Sequence, residues 1–152
     1  MAVFVRLLGA PSVRIEDALY EPAPSRGSAL AYHLAYRGSW LDRGEACALL
    51  WPESDEASAR ASLRQVLHGL RAQPWAVGLE IERSRLRWQV PTDVRAGLRA
   101  EMDAGGDLPW PDEAGRAPVL LDGFRLSNAP GFEAWLDSER TAVDEWRRAR
   151  LL

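Results

Sequence analysis

The sequence predicts an α+β fold: a short N-terminal sheet, three helices and a closing hairpin, followed by an all-helical segment. Three observations carry that expectation. Short apolar runs open the chain, a stretch from Ser54 to Ala72 repeats its apolar residues with helical period, and a pair of alternating segments spans Leu79–Val90. Pro91 marks a boundary, so residues 1–91 are expected to form one unit and residues 92–152 a second, helical one. With 152 residues, 47% apolar and 27% charged, the chain is long enough to bury a core and too apolar for a disordered tail. No run approaches the ~18 consecutive apolar residues of a membrane span.

Val3-Phe4-Val5-Arg6-Leu7-Leu8 and Ser12-Val13-Arg14-Ile15 read as two strands around a tight turn at Gly9-Ala10-Pro11. Tyr20-Glu21-Pro22-Ala23-Pro24 is extended, since proline interrupts any helix there. Ser25 is suited to cap a helix that runs to about Tyr36, with Leu30 and Leu34 inward and Gly38 ending it. Asp42-Arg43-Gly44-Glu45 has the spacing of a capping box and opens a shorter helix carrying Ala46, Leu49 and Leu50 inward. Pro52 stops it by disfavouring helical geometry at Trp51.

The third helix, 54–72, is the clearest element. At ~100° per residue, Ala59, Leu63, Val66, Leu67 and Leu70 fall on one side. Arg60, Arg64 and Arg71 lie within ~40° of one another beside that stripe. Ala61, Gln65, His68 and Ala72 form the adjoining exposed face, and Pro74 ends the helix. In the hairpin, Leu79 and Ile81 alternate with Glu80 and Glu82, and Leu86, Trp88 and Val90 alternate with Arg85, Arg87 and Gln89. The turn is expected near Arg83-Ser84, which is not a preferred two-residue turn. Beyond Pro91, helices are expected from Asp93 to Ala104, over 114–122, and from Pro130 to the end. Asn128 is the expected cap of the last one, and Phe132, Trp135, Leu136, Val143 and Trp146 are its apolar face.

All nineteen basic residues are Arg, which a GC-rich coding bias explains most simply, and the net charge of −3 does not advertise a nucleic-acid binder. The distribution is more informative, because no acid occurs from Ala57 to Leu79. A local basic face matters more for DNA than the total. No Gly-rich phosphate loop, paired histidines or nucleophile elbow is present, so an enzyme is not expected. One Cys and two His, His33 and His68, fall short of a structural zinc site, and a single cysteine fits a reducing cytoplasm. Cys47 reads as a small core residue and His33 as a surface or partly buried histidine.

Strands, three helices and a hairpin, with a tight Trp-Pro-Glu-Ser connection between the second and third helices, is the order of a winged helix-turn-helix domain. In that layout the long helix enters a major groove of double-stranded DNA. Arg60, Arg64 and Arg71 suit phosphates or guanine edges, Gln65 suits adenine, His68 suits either, and Ser58 and Ser62 suit phosphate; Ala61 lies on the same face. Arg83, Arg85 and Arg87, on the wing 79–90, suit phosphates or a narrow minor groove. An arginine stripe flanking an apolar face is, however, usually just the solvated side of an amphipathic helix.

Trp51-Pro52 followed by Ala59-Arg60-x-x-Leu63-Arg64-x-x-Leu67-x-x-Leu70-Arg71 resembles the recognition helix of the SARP-type bacterial activators. These carry an OmpR-like winged helix followed by an all-helical bacterial transcriptional activator domain (BTAD) related to tetratricopeptide repeats. Val5-Arg6-Leu7-Leu8-Gly9 and Ala29–Ala35 resemble the family's opening strand and first helix. Asp122-Gly123-Phe124 and Phe132-Glu133-x-Trp135-Leu136-x-x-Glu139-Arg140 resemble the start of the BTAD. Ser62 stands where the family usually shows Asn, and the family's BTAD continues past Leu152. The resemblance implies a cytoplasmic, sequence-specific activator that binds promoter direct repeats, contacts RNA polymerase and needs no cofactor. Trp146, Leu151 and Leu152 then become a homodimer contact through the C-terminal helices, a partner contact or a cut edge. A rival of a different class stays open: a protein-interaction or regulatory module of a larger assembly that uses the winged fold without specific DNA binding. Exposure of Arg60 and Arg64 favours the first reading; their pairing with acids of the C-terminal half favours the second.

Overall fold

In the computed structural model, which describes residues 2–94 and 119–151, the N-terminal apolar runs form β1 (Val3–Arg6) and β2 (Ser12–Ile15). A third strand, β3 (Ala18–Tyr20), follows where sequence patterning marks no strand and extended chain only from Tyr20 onward, and the antiparallel order is β1-β2-β3. Its short length and lack of apolar alternation hide it; Ala18 and Leu19 are exposed and are held by pairing with Ile15 and Arg14. The remaining elements are α1 (Arg26–Arg37), β4 (Leu41–Asp42), α2 (Arg43–Leu50), α3 (Glu56–Arg71), β5 (Glu80–Ile81), β6 (Arg85–Arg87) and α4 (Pro130–Leu151). The described chain is therefore mixed α+β, with small antiparallel sheets. None of its helices is long and apolar enough to cross a membrane.

Helix α1 starts at a reciprocal capping box: the Ser25 hydroxyl accepts from the Ser28 amide and the Ser28 hydroxyl accepts from the Ser25 amide. Gly38 closes it in the left-handed conformation, φ 69°, where its N–H bonds the Leu34 carbonyl. Ser25→Ala is expected to cost about 1 kcal/mol by exposing an orphan amide, readable as a lowered urea midpoint with an unchanged m-value. The box expected at α2 does not form. Asp42 occupies the N-cap, yet its side chain makes no cap hydrogen bond, because Asp42 is also the last residue of β4 and pairs with Arg85. Helix α3 is capped by Asp55, one residue later than the expected Ser54 start.

Strand β4 joins the hairpin, giving the order β4-β6-β5, with Leu41 opposite Leu86 and Asp42 opposite Arg85. The hairpin turns at Arg83-Ser84, as the Glu82 amide bonds the Arg85 carbonyl at 2.8 Å. This unfavoured turn is held from outside. The Arg43 amide donates to the Ser84 carbonyl at 3.0 Å, and its guanidinium donates twice to the Glu82 carbonyl, at 3.0 and 2.7 Å.

One apolar cluster unites Val5, Leu7 and Val13 of the first sheet, Leu30 and Leu34 of α1, Leu63 and Leu67 of α3, Leu86, Trp88, and Phe124, Phe132 and Leu136 near the C-terminus. Trp88 is fully buried and satisfies its indole N–H on the Val77 carbonyl at 2.8 Å. The free edge of β1 is covered: the Val5 amide bonds the Pro91 carbonyl at 2.9 Å, and the Leu7 amide bonds Asp93 Oδ1 at 2.7 Å. Burial raises the Asp93 carboxyl above its ordinary value, against those amide bonds, which lower it.

The helix expected from Asp93 to Ala104 lies almost wholly outside the described residues, as does most of that over 114–122. Residues 119–122 of the latter are not helical. Leu120 pairs with Leu8, and Arg140 of α4 donates to the carbonyls of Leu120 and Leu121 at 2.8 and 2.7 Å. Pro130 opens α4 as expected, but the Ala129 carbonyl, not Asn128, receives the first helical bond, from Glu133. The Glu133 carboxylate reaches back to the Leu126 amide. Helix α4 then packs on α1 through aromatic rings, with Trp135 4.3 Å from His33 and 5.6 Å from Tyr36. His33 is thus buried, contrary to the surface or partly buried expectation, because α4 covers a face of α1 that helical periodicity alone leaves open.

Candidate nucleic-acid interface

Helix α3 presents two faces. Ala59, Leu63, Leu67 and Leu70 are buried, while Ala61, Arg64, Gln65, His68 and Arg71 are exposed together with Ser58 and Arg60. The division follows from helical periodicity, since residues three and four apart share a side. The helix is fixed at its start by Asp55, whose carboxylate accepts from the Ser58 amide at 2.9 Å and the Ser58 hydroxyl at 3.0 Å. Those two bonds hold the Asp55 carboxyl below its ordinary range. Ser58 therefore spends its hydroxyl on the cap.

Arg60 pairs with Glu56 one turn back at 2.8 Å, both side chains largely exposed. Such a surface pair is weak and exchanges readily for a stronger anion. Arg64 has no carboxylate partner among the described residues. Neither arginine pairs with a described acid of the C-terminal half.

A cleft of about 400 Å³ separates α3 from the hairpin turn, lined by Arg43, Gly44, Arg60, Leu63, Arg64, Arg83 and Ser84. A second hollow, about 240 Å³, continues it along α3 past Arg64, Leu67, His68 and Arg71 to Ile81 of β5, again with Arg43 in its wall. Together they form a groove bordered, among the described residues, by five arginines and one histidine and by no carboxylate. Its chemistry is that of an anion groove: planar, permanently charged forks suited to paired oxygen acceptors.

The three hairpin arginines separate in role. Arg83 is exposed at the turn and faces the cleft. Arg87 makes two bonds to the Glu80 carboxylate, at 2.7 and 3.0 Å, and Arg85 makes one to Glu82 at 2.7 Å. The hydrogen bonds between Arg87 and Glu80, and less so their opposite charges, hold the Glu80 carboxyl below its ordinary value and raise Arg87. The guanidinium carbons of Arg85 and Arg87 also lie 3.9 and 4.0 Å from the centre of the Trp40 ring. The fold thus brings Arg60, Arg64, His68, Arg71 and Arg83 to one groove. It engages Arg85 and Arg87 with cross-strand or neighbouring acids and with Trp40.

Two participants escape sequence reasoning. Arg43 reads as the first residue of a short helix, yet it stands in both hollows and grips the hairpin turn thirty-nine residues further on. Trp40 reads as a loop residue, yet it is the platform for two arginines. No local pattern marks either; a covarying pair linking position 43 with 82 or 84 is the signal that can.

No protein-family model matches this chain, and no curated protein sequence matches it.

Proposed function

We propose that the protein is a sequence-specific regulator of transcription, an activator in type, that binds double-stranded DNA through a winged helix-turn-helix domain. In this reading α3 enters the major groove and the β5–β6 hairpin is the wing, lying against the flanking backbone or minor groove. The observation that carries it is the exposed face of α3, where Arg64, Gln65, His68 and Arg71 stand together beside a groove that no described carboxylate lines. Arg and Gln are the side chains whose forks pair with guanine and adenine edges. The order α1, β4, α2, α3 and hairpin, with β4 paired to β6, also supports a winged domain.

The resemblance to SARP-type activators extends the proposal. Binding is to direct repeats at promoters in the cytoplasm, RNA polymerase is the protein partner, and α4 begins a tetratricopeptide-like module through which two copies can associate. Neither Arg60 nor Arg64 pairs with a described acid of the C-terminal half, the pairing on which a purely protein-binding module would rest.

Selection of bound fragments from genomic DNA, followed by fluorescence anisotropy, tests the proposal. Neutralising about six phosphates predicts a log–log salt slope near −5. On the selected site Arg64→Ala is expected to cost about 1.5–3 kcal/mol, the scale of a lost charge-assisted hydrogen bond, whereas Gln65→Ala is expected to lose about 1–3 kcal/mol on the selected site while nonspecific affinity changes far less. Equal affinity of Arg64→Ala and wild type for the selected site refutes the recognition-helix assignment.

A further inference from the structure

Four arginines, Arg43, Arg60, Arg64 and Arg83, converge on the cleft between α3 and the hairpin turn, and among the described residues no acid lines it with them. In a chain of net charge −3 this clustering is not a by-product of general basicity. Like charges brought together work against the folded state, so the arrangement calls for an anion that offsets it. Among the described residues only Arg60 of the four has a carboxylate partner, the exposed Glu56. Arg43 is committed to the turn: its backbone N–H and guanidinium bond the Ser84 and Glu82 carbonyls, which fixes the side of the cleft that carries Arg83.

We propose that this cleft is the seat of a single phosphodiester group of the nucleic-acid backbone, with Arg64 and Arg83 as direct ligands. Arg43 is the positioning residue that holds the turn over it. The proposal rests on the DNA-binding reading and names the group that lies between helix and wing. A phosphate fits better than a base edge. The donors approach from two walls, α3 and the turn, and guanidinium forks from two directions suit tetrahedrally disposed oxygens. The Ser84 hydroxyl adds a neutral donor of the kind common at phosphates.

The full chain is titrated with inorganic pyrophosphate at constant ionic strength while the arginine side-chain Nε–H signals are followed by NMR. Selective shifts of Arg64 and Arg83, with Arg14 and Arg125 unmoved, are expected. Arg64→Ala and Arg83→Ala should each weaken pyrophosphate binding about tenfold, the scale of a lost charge-assisted hydrogen bond. The melting temperature of each variant should equal or exceed that of wild type, because repulsion is relieved. Absence of shifts, shifts spread over all exposed arginines, or variants that melt earlier and still bind overturns the seat.

A second arm uses a duplex carrying one neutral methylphosphonate at successive positions. One position should weaken wild type and leave Arg83→Ala indifferent. Specific duplex binding without any such coupled position overturns the seat and leaves the regulator reading standing. Selective pyrophosphate binding with no duplex binding at all overturns the phosphodiester assignment, and the regulator reading with it.

Discussion

Gly131→Ala is expected to destabilise the protein by about 2 kcal/mol or more, although alanine is the better helix former. Gly131 lies in the first turn of α4, where it abuts the C-terminal end of α2. A Cβ at this position stands 2.5 Å from the Leu49 carbonyl oxygen and 3.1 Å from that of Ala48. Both obstacles are backbone, so no rotamer change relieves the clash and α4 must shift bodily. A shift strains the Arg26 bridge, in which one guanidinium bonds the Leu50 carbonyl at 3.2 Å and the Asn128 carbonyl at 2.6 Å. The propensity gain is at most about 1 kcal/mol, and overpacking against fixed atoms costs about 1–3 kcal/mol or more. Urea unfolding of the two proteins decides the sign. A variant more stable by the propensity increment shows that α4 is not seated on α2 in this way.

Acidification is expected to destabilise the protein steeply through His33. The ring is buried against Trp135, and neither nitrogen has a hydrogen-bond partner among the described residues. Burial first, and the neighbouring Arg37 charge second, lower its pKa from 6.5 to about 4. The folded protein thus holds the ring neutral where the unfolded chain already binds a proton. Stability from neutral His33 is complete above pH 6.5 and is lost as pH falls towards 4, at up to ~1.4 kcal/mol per pH unit. Over that window the loss reaches roughly 2–3 kcal/mol. His33→Leu removes the titration, so its unfolding free energy should fall less than that of wild type over the same window. At neutral pH it should be no less stable, since it removes two unsatisfied buried polar atoms. Parallel pH dependences of the two proteins sink this account. The comparison also cancels the contributions of Asp55, Glu80 and Asp93, which titrate in both.

The candidate interface was legible in part. Arg60, Arg64, Gln65, His68 and Arg71 share an exposed face because helical geometry depends only on their spacing, and the apolar stripe from Ala59 to Leu70 identifies which side is buried. The alternation around Arg83-Ser84 likewise locates the turn. The fates of Arg85 and Arg87 were not legible. Strand alternation places both on one face, but it does not reveal that Glu80, Glu82 and Trp40 meet them there. Trp40 and Arg43 were invisible for a related reason: they flank a two-residue strand, too short to carry a period, whose register against β6 comes from burying Leu41 beside Leu86.

By itself the sequence determined the helices α1 and α3, the hairpin, the mixed α+β class and the basic face. Each depends on bonds between residues a few positions apart, and the chain encodes those locally. Tertiary structure decided that β4 joins the hairpin, that Arg43 holds its turn, that α4 covers His33, and that Gly131 must be glycine. These follow from backbone and side chains remote in sequence competing for the same space, and a local pattern carries no record of what will arrive there.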